Sequence, residues 1–163
     1  MTILHTVSSP LGLLTLASDG TALTGLWLAG QKHFAADVAD DAIYADCAVF
    51  VAAEHWLKDY FALKIPNNIP LAPRGTAFQM RVWQTLRAIP YGTTVTYGEL
   101  ADRLKSSPRA VGQAVGRNPI SILIPCHRVV GANAALTGYA GGLDAKRFLL
   151  ALEKSASPFG EAD

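Results

Sequence analysis

A proline-rich stretch near the middle of the chain constrains its fold more than any other part of the sequence. Residues 65–73 contain Pro66, Pro70 and Pro73, three prolines within eight residues. Proline lacks a backbone N–H and has a fixed φ, so this stretch cannot form a helix or a central strand. We therefore predict an extended connector here, with one domain over residues 1–72 and a second over residues 73–163.

The two predicted domains carry opposite net charges. Residues 1–72 contain three Lys/Arg and seven Asp/Glu, net −4, whereas residues 73–163 contain eleven and six, net +5, which together give the +1 of the whole chain. A basic C-terminal half favours a polyanionic partner such as nucleic acid. Uneven charge on a solvated surface also arises by chance, so the charge pattern alone leaves both explanations open.

Composition excludes several classes of protein. Half of the 163 residues are hydrophobic, enough for a substantial core, yet no apolar run approaches the ~20 residues of a membrane span. The N-terminus has no signal-peptide pattern, and two cysteines, Cys47 and Cys126, make no disulfide framework. His5, His33 and His55 are scattered without metal-ligand spacing. We expect a cytoplasmic protein with no membrane partner, no metal and no cofactor.

The N-terminal domain is predicted to begin with β-hairpins. Residues 11–17 and 22–28 are rich in apolar side chains, and Asp19-Gly20 between them is typical of a turn. Residues 32–46 are predicted to form a loop and a short helix. From Cys47, apolar residues recur at spacings of three and four as far as Phe61, which predicts an amphipathic helix that packs on the sheet.

Three helices are predicted at the start of the C-terminal domain. Each follows a Ser or Thr that can cap the first free backbone N–H groups, and Ser107-Pro108 is the strongest of these start signals. The predicted helices span residues 77–89, 97–104 and 108–115, preceded by Thr76, Thr96 and Ser107. The second and third are joined by a tight turn and form a candidate helix-turn-helix.

An apolar run from residue 122 to residue 130 contains a cysteine beside a histidine. Residues 122–124 have strand character, and Pro125 must turn the chain where the thiol of Cys126 lies, next to His127. A thiol becomes a strong nucleophile only as the thiolate, which a nearby base can produce. A lone cysteine in an apolar segment is more often an inert core residue, so this run alone does not decide its role.

Several landmarks, in order along the chain, resemble the C-terminal domain of the O6-alkylguanine-DNA alkyltransferases, the methylated-DNA–protein-cysteine methyltransferases. The hexapeptide Pro-Cys-His-Arg-Val-Val is the most specific of them. The landmarks are Arg109-Ala110-Val111-Gly112, Asn118-Pro119-Ile120, Ile124-Pro125-Cys126-His127-Arg128-Val129, Gly138-Tyr139-Ala140-Gly141-Gly142 and residues 146–153. The resemblance covers residues 75–153 closely and the first half of the chain loosely.

This resemblance implies an α+β fold class with two domains. Residues 1–72 are expected to form a ribonuclease-H-like α/β domain without that enzyme's activity. Residues 73–163 are expected to form a mainly helical domain with a helix-turn-helix. Some relatives carry a structural zinc ion in the first half, but the cysteines needed for it are absent from this chain. The expectation of no metal therefore stands.

The resemblance also implies a function in DNA repair. An alkyl group is expected to move from O6-alkylguanine in duplex DNA to Cys126, irreversibly and once per molecule. His127 is expected to take the thiol proton through a bridging water, and Glu153 to orient His127. Asn118 is expected to brace the active-site loop, and Tyr139 to stabilise or protonate the leaving guanine. Without the resemblance, Glu153 reads as a surface carboxylate and Tyr139 as a loop aromatic.

Five further residues are expected to bind double-stranded DNA, with the protein acting as a monomer. The resemblance implies that Arg109 fills the space left by a flipped base and that Tyr97 crowds the adjacent phosphate. It places the second helix of the helix-turn-helix in the minor groove, where the small residues Ala110 and Gly112 allow close approach. Small residues also suit tight packing within the protein. Arg117 is expected to be a further DNA contact.

Two other functions are weighed against alkyl transfer. The first is a DNA-binding module without transfer, like alkyltransferase-like relatives, but those have lost the cysteine that Cys126 provides here. The second is a cysteine hydrolase that uses Cys126 and His127. Ser121 stands where some relatives have a proline that lines the pocket, which predicts a roomier pocket for adducts larger than methyl.

Overall fold

The computed structural model describes residues 1–35, 38 and 40–156, and these form two compact units. The first unit comprises Met1–Arg74 together with Pro119–Ser121, and the second comprises Gly75–Asn118 and the chain from Ile122 onward. The first stretch of the first unit ends at Arg74, two residues beyond the predicted end of the N-terminal domain. The predicted domains, 1–72 and 73–163, do not include the return of Pro119–Ser121 to the first unit.

A four-stranded sheet forms the first unit. Its strands are β1 (Ile3–Ser9), β2 (Gly12–Ser18), β3 (Leu23–Leu28) and β4 (Ile43–Tyr44), in the order β3-β2-β1-β4. The first three pair antiparallel, and β4 pairs parallel to β1. The predicted hairpin between β2 and β3 is therefore confirmed. At its turn the Asp19 carboxylate accepts hydrogen bonds from the backbone N–H groups of Thr21 and Ala22, both at 2.9 Å.

The outer edge of β3 is covered by two segments from elsewhere in the sequence. Leu23 donates its N–H to the carbonyl of Pro70 at 2.9 Å, so the extended proline-rich connector runs beside this edge. Leu26 donates to the carbonyl of Pro119 at 2.8 Å and accepts from the N–H of Ser121 at 3.1 Å. These ladder-like bonds explain why residues 119–121 belong to the first unit.

The predicted amphipathic helix is confirmed as α1 (Ala48–Phe61), which buries Phe50, Leu57 and Tyr60 among others. Trp56 is only half-buried, although its ring stacks on Tyr60 with centroids 5.2 Å apart. The short helix predicted within residues 32–46 falls partly on residues 36, 37 and 39, which lie outside the described residues. The described part of that stretch forms turns and the two-residue strand β4.

The second unit is mainly helical. Its elements are α2 (Ala77–Arg87), β5 (Val95–Thr96), α3 (Tyr97–Leu104), α4 (Pro108–Gly116), a 3-10 helix (Cys126–Arg128), β6 (Val129–Val130), a second 3-10 helix (Ala132–Ala134) and α5 (Leu143–Ala156). The strands β5 and β6 pair in parallel. None of the described helices is long and apolar enough to cross a membrane.

The three predicted helix starts are confirmed at the level of individual hydrogen bonds. Thr76 and Thr96 each accept a hydrogen bond from the backbone N–H three residues on, and the side chains of Gln79 and Glu99 accept one from the N–H of the capping residue. Ser107 accepts from the N–H of Ala110 at 3.1 Å. These caps satisfy N–H groups that have no partner within the helix. The first helix ends at Arg87, two residues earlier than predicted.

The strand predicted over residues 122–124 is wrong. Residues 121–124 form a turn in which Ile122 has φ +74°, and Cys126 begins a 3-10 helix. A β-branched residue rarely adopts positive φ, so the backbone is strained here. The strain has a tertiary origin, because the chain must reverse immediately after Ser121 leaves the edge of β3. The strand of this segment is β6, after the cysteine.

Candidate active site

Cys126 occupies the first position of a 3-10 helix and is almost completely buried, with 4 % of its surface exposed. Its backbone N–H donates to the carbonyl of Ile124 at 2.7 Å. The same carbonyl accepts a hydrogen bond from Asn118 Nδ2 at 2.8 Å. Asn118, placed by the end of α4, therefore fixes the backbone immediately before the thiol.

Three polar side chains surround the thiol of Cys126. Burial raises its pKa to about 11, while hydrogen bonds from Asn118 and Tyr139 and the charge of Lys146 act in the opposite direction. The thiol is thus protonated near neutral pH, but its surroundings favour the thiolate over what burial alone allows. Deprotonation requires a base within the same buried site.

His127 and Glu153 form a buried hydrogen bond, with His127 Nε2 lying 2.6 Å from Glu153 Oε2. Their side chains are 0 % and 1 % exposed. Burial lowers the pKa of His127 despite the opposing effect of Glu153, so the ring is neutral near pH 7. An ionised carboxylate can only accept, which assigns the proton to Nε2. Nδ1 is then unprotonated, and it has no hydrogen-bond partner among the described residues.

Arg128 completes the surroundings of Glu153. Its Nε donates to Glu153 Oε1 at 2.8 Å and its Nη2 donates to Oε2 at 3.0 Å, and the N–H of Gly92 reaches Oε1 at 3.3 Å. Burial acts to raise the pKa of Glu153, but the hydrogen bonds from His127 and Arg128 and the positive charge of Arg128 outweigh it and lower the pKa to about 2. The carboxylate is therefore ionised at every physiological pH.

Lys146 lies on the same helix as Glu153, seven residues earlier and so on the same face of α5. It is completely buried, and its Nζ donates to the carbonyls of Thr137 at 2.7 Å and Gly138 at 3.1 Å. Burial lowers the pKa of Lys146 to about 8, with Cys126 acting to raise it. The ammonium thus joins α5 to the segment that carries Tyr139.

Sequence comparisons with known proteins show which family this chain belongs to. The sequence profile of the 6-O-methylguanine DNA methyltransferase, DNA binding domain, matches residues 77–155. A methylated-DNA–protein-cysteine methyltransferase from Mycobacterium tuberculosis is 46% identical over 157 residues, which cover 94% of this chain and 93% of that protein. One from Haemophilus influenzae is 47% identical over 150 residues, covering 90% and 83%. The chain therefore belongs to the methylated-DNA–protein-cysteine methyltransferase family.

Solved structures of similar proteins also match this methyltransferase along nearly its whole length. The crystal structure of Mycobacterium tuberculosis OGT in complex with DNA matches with a TM-score of 0.86 and 44% identity, covering 98% of this chain and 97% of that one. This agreement shows the mixed α+β fold across both units. The function of the chain is DNA repair by transfer of an alkyl group to a cysteine.

The five residues expected to act in catalysis come together in the second unit of this methyltransferase. Asn118 and Tyr139 lie beside Cys126, and Glu153 lies beside His127. They come from the end of α4, the 3-10 helix, the loop before α5 and α5 itself, and they are far apart in sequence. Within the described residues no group of three or more His, Cys, Asp and Glu is arranged to hold a metal ion.

The residues expected to contact DNA divide into two groups. Arg109 and Arg117, at the two ends of α4, are exposed. Tyr97, Ala110 and Gly112 are half-buried, and a Cβ added at Gly112 would lie 3.8 Å from the ring of Tyr97. Burial, followed by the charge of Cys126, raises the pKa of Tyr97.

Internal packing accounts for one small residue of α4. Ala114 is 3 % exposed, and its carbonyl accepts a hydrogen bond from Trp83 Nε1 at 2.8 Å. Its small side chain therefore allows α4 to approach α2 closely. The face of α4 that carries Arg109 and Gln113 is exposed.

Sequence reasoning missed Arg128 and Lys146. Both are charged residues on segments that are otherwise apolar on the buried side, and both turn out to be buried, at 9 % and 0 % exposure. The spacing of Lys146 and Glu153 on one helix face was an available signal. The partners of Arg128 were not readable, because Glu153 lies 25 residues away and Ile89 lies 39 residues away.

Ser121 does not support the prediction of a roomier pocket. Its side chain is 1 % exposed, and its hydroxyl lies 3.2 Å from Gln31 Oε1 within the first unit. The pairing of Ser121 with Leu26 fixes this orientation. Acceptance of adducts larger than methyl stays a prediction.

Proposed function

We propose that Cys126 accepts the alkyl group from O6-alkylguanine in double-stranded DNA, with one protein molecule acting once as a monomer. One observation carries the proposal. The buried thiol of Cys126 lies among Asn118, Tyr139 and Lys146, and the adjacent His127 is neutral, with no hydrogen bond to its Nδ1 among the described residues. This is the nucleophile, base and orienting carboxylate that alkyl transfer requires.

The first step is activation of the thiol. His127 makes no direct hydrogen bond to Cys126 among the described residues, so the proton passes from the thiol to His127 Nδ1 through one water molecule. Glu153 stabilises the imidazolium that forms, and the Lys146 ammonium stabilises the thiolate. The neutral Cys126 thiol and His127 ring thus become a thiolate and an imidazolium. The thiolate is stabilised by the Lys146 ammonium, and the imidazolium is stabilised by the Glu153 carboxylate.

The second step is displacement at the alkyl carbon. The thiolate of Cys126 attacks that carbon, a carbon–sulfur bond forms, and the bond between the carbon and guanine O6 breaks. The electron pair of the broken bond goes to the guanine, which takes up one proton from solvent, while the imidazolium of His127 gives up one proton to solvent. The hydroxyl of Tyr139 is placed to stabilise the developing negative charge. The products are S-alkylcysteine and unmodified guanine.

The protein is consumed in this reaction. The thioether at Cys126 has no easily displaced bond, and the sequence contains one other cysteine, Cys47. Cys47 belongs to the first unit, where its sulfur lies 3.5 Å from the carbonyl of Gly20 and 3.8 Å from Ser18 Oγ. No thiol is therefore available in the second unit to regenerate Cys126.

Recognition of DNA is assigned to a helix-turn-helix made by α3 and α4. The two helices are joined by a short turn in which Lys105 adopts a left-handed conformation, φ +52°. The guanidinium of Arg109 is exposed and able to enter the base stack, and Arg117 is able to contact phosphate. The base must leave the stack, because its O6 substituent is out of reach of a thiol inside the duplex.

The first unit is proposed to be a ribonuclease-H-like support. Three antiparallel strands followed by a fourth strand parallel to the first, with α1 packed on the sheet, support this assignment. A chemistry that depends on a reduced thiol fits the cytoplasm. No cofactor takes part in the proposed steps.

Transfer of a radiolabelled methyl group tests the proposal directly. The full chain is mixed with duplex DNA that contains labelled O6-methylguanine, and the labelled residue is identified by mass spectrometry. We expect one equivalent of label on Cys126, none in Cys126→Ser, and full transfer in Cys47→Ser. Multiple equivalents repaired per protein molecule contradict single use. Binding without transfer points to a recognition module, and release of a hydrolysed product points to a hydrolase.

The role of Arg109 is tested by comparing two substrates. Arg109→Ala is expected to slow transfer from duplex DNA more than transfer from the free base O6-benzylguanine, because the free base needs no flipping. The exposed Arg103 on α3 provides a matched control, Arg103→Ala. Equal slowing on both substrates excludes a role in flipping.

A further inference from the structure

Arg128 lies directly behind the His127–Glu153 pair and is held on three sides. Its guanidinium donates to both oxygens of Glu153, at 2.8 and 3.0 Å, and its Nη1 donates to the carbonyl of Ile89 at 2.7 Å. The centre of the guanidinium also lies 5.6 Å from the centroid of the Tyr91 ring. The planar fork of Arg128 is thus locked against the carboxylate, a geometry that lysine cannot reproduce.

The contact between Arg128 and Glu153 affects the protonation of His127. A buried carboxylate needs a positive partner. If His127 were the only neighbour, the ring would be drawn into its protonated form and would no longer accept the proton of Cys126. Arg128 already supplies the positive partner, through two charge-assisted hydrogen bonds. The His127 ring therefore does not need to be protonated to balance the charge of Glu153.

We propose that Arg128 is a positioning residue that keeps His127 neutral, and so available as a base, by providing the counter-charge to Glu153. The inference rests on the proposed function, since it assigns a base to the thiol of Cys126. Arg128 itself does not touch the reacting atoms. It acts through Glu153 on His127.

Among the described residues, three charged groups act on the pKa of His127. Glu153 and Lys146 come from α5, and Arg128 comes from the 3-10 helix itself. Burial lowers the pKa of His127, Glu153 raises it, and the charges of Arg128 and Lys146 lower it. Removal of Arg128 therefore raises the pKa of His127. The ring is then neutral, and able to accept a proton, only at higher pH. The rate of transfer should therefore rise with pH over a higher range than in the unmodified protein.

The test measures transfer and His127 titration across pH in the full chain. We expect Arg128→Gln to move the midpoint of the pH–rate profile upward by about one pH unit, with a loss of about tenfold in rate at pH values well below both midpoints. Arg128→Lys should show a smaller shift, since it restores the charge but not the fork. Arg147→Gln, which removes an arginine from the exposed Asp144 pair on α5, should leave the midpoint unchanged.

Nuclear magnetic resonance of the His127 ring makes the test independent of transfer. In the unmodified protein we expect a neutral ring protonated at Nε2 near pH 7, and in Arg128→Gln a ring that is protonated at that pH. A purely structural role for Arg128 predicts lower stability with an unchanged His127 midpoint, and that result overturns the inference. If Arg128→Gln does not fold, the unmodified protein still tests the inference, because a His127 ring that is protonated there near pH 7 overturns it equally.

The ring titration separates two kinds of failure. Absence of label on Cys126 in the unmodified protein refutes the proposed function and says nothing against the charge relation. A charged His127 ring near pH 7 in a protein that still transfers the label refutes the inference and leaves the function standing.

Discussion

His127 Nε2 lies 2.6 Å from Glu153 Oε2, and a residue 26 positions away in the sequence thereby sets the orientation and tautomer of the ring. Both side chains are almost completely buried, so water does not compete for this hydrogen bond. The ring's other nitrogen is left to act as an acceptor. Under the proposed mechanism, this relation explains how His127 can act on the thiol of Cys126 without a direct hydrogen bond to it.

Glu153→Gln should slow alkyl transfer by roughly 10- to 100-fold. The amide keeps the shape of the side chain, but it removes the negative charge that stabilises the imidazolium of His127. Single-turnover transfer of labelled methyl from duplex DNA measures the effect. Asp144→Asn, at an exposed carboxylate of the same helix, is the matched control and should transfer at the unmodified rate. A rate for Glu153→Gln equal to the control would remove Glu153 from the mechanism.

Stability should fall in acid through Glu153. The pKa of this carboxyl is lowered from 4.5 to about 2 on folding, so the folded state binds fewer protons than the unfolded state between these values. The stabilisation is complete above about pH 4.5 and is lost as the pH falls toward about 2. We expect Glu153→Gln to be less stable than the unmodified protein by roughly 3 kcal/mol near pH 7, and the difference to shrink in acid.

Denaturant unfolding of the two proteins at a series of pH values measures this difference. Asp144→Asn again serves as the control, since the removal of an exposed ion pair changes stability by less than about 1 kcal/mol. A difference between Glu153→Gln and the unmodified protein that stays constant down to pH 2 would show that another group dominates the acid response.

Lys146→Met should raise the pKa of the Cys126 thiol further. The ammonium acts to lower this pKa, which burial has raised to about 11, so its removal makes the thiolate harder to form. We expect transfer near pH 7 to slow by about tenfold or more. The ultraviolet absorbance of the thiolate, followed against pH, reports the pKa of Cys126 directly. Lys154→Met, at an exposed lysine of the same helix, should change neither quantity.

The capping box of α2 should contribute to stability without contributing to transfer. Thr76 accepts from the N–H of Gln79 at 3.1 Å, and the Gln79 side chain accepts from the N–H of Thr76 at 2.9 Å. Thr76→Ala should therefore lower the free energy of unfolding by about 1 kcal/mol. Thr85→Ala, later in the same helix, is the control and should cost less. An equal loss in both variants would argue against a specific contribution of the cap.

Local structure was predictable wherever it depends on neighbouring residues. Ser107 and Pro108 start α4 because a hydroxyl caps the free N–H groups and a fixed φ suits the first helical position. Asp19 marks the turn between β2 and β3 because its carboxylate bonds to the next N–H groups. These interactions span no more than a few residues.

The turn before the nucleophile was not predictable in the same way. Residues 122–124 have the composition of a strand, yet Ile122 adopts φ +74° because Ser121 is held at the edge of β3. The local preference of these residues for a strand is weaker than the constraint from the two backbone hydrogen bonds that Leu26 makes to Pro119 and Ser121. The thiol consequently sits on a 3-10 helix.

By itself, the sequence determined the two-part organisation, the helix starts and the presence of a cysteine beside a histidine in a motif of this methyltransferase family. Tertiary structure decided that Arg128 and Lys146 are buried, that Glu153 is ionised, and that His127 is neutral. The physical reason is that burial and charge pairing depend on groups that meet only after folding. The proposed nucleophile, Cys126, can be identified in the sequence, whereas its protonation state depends on the fold.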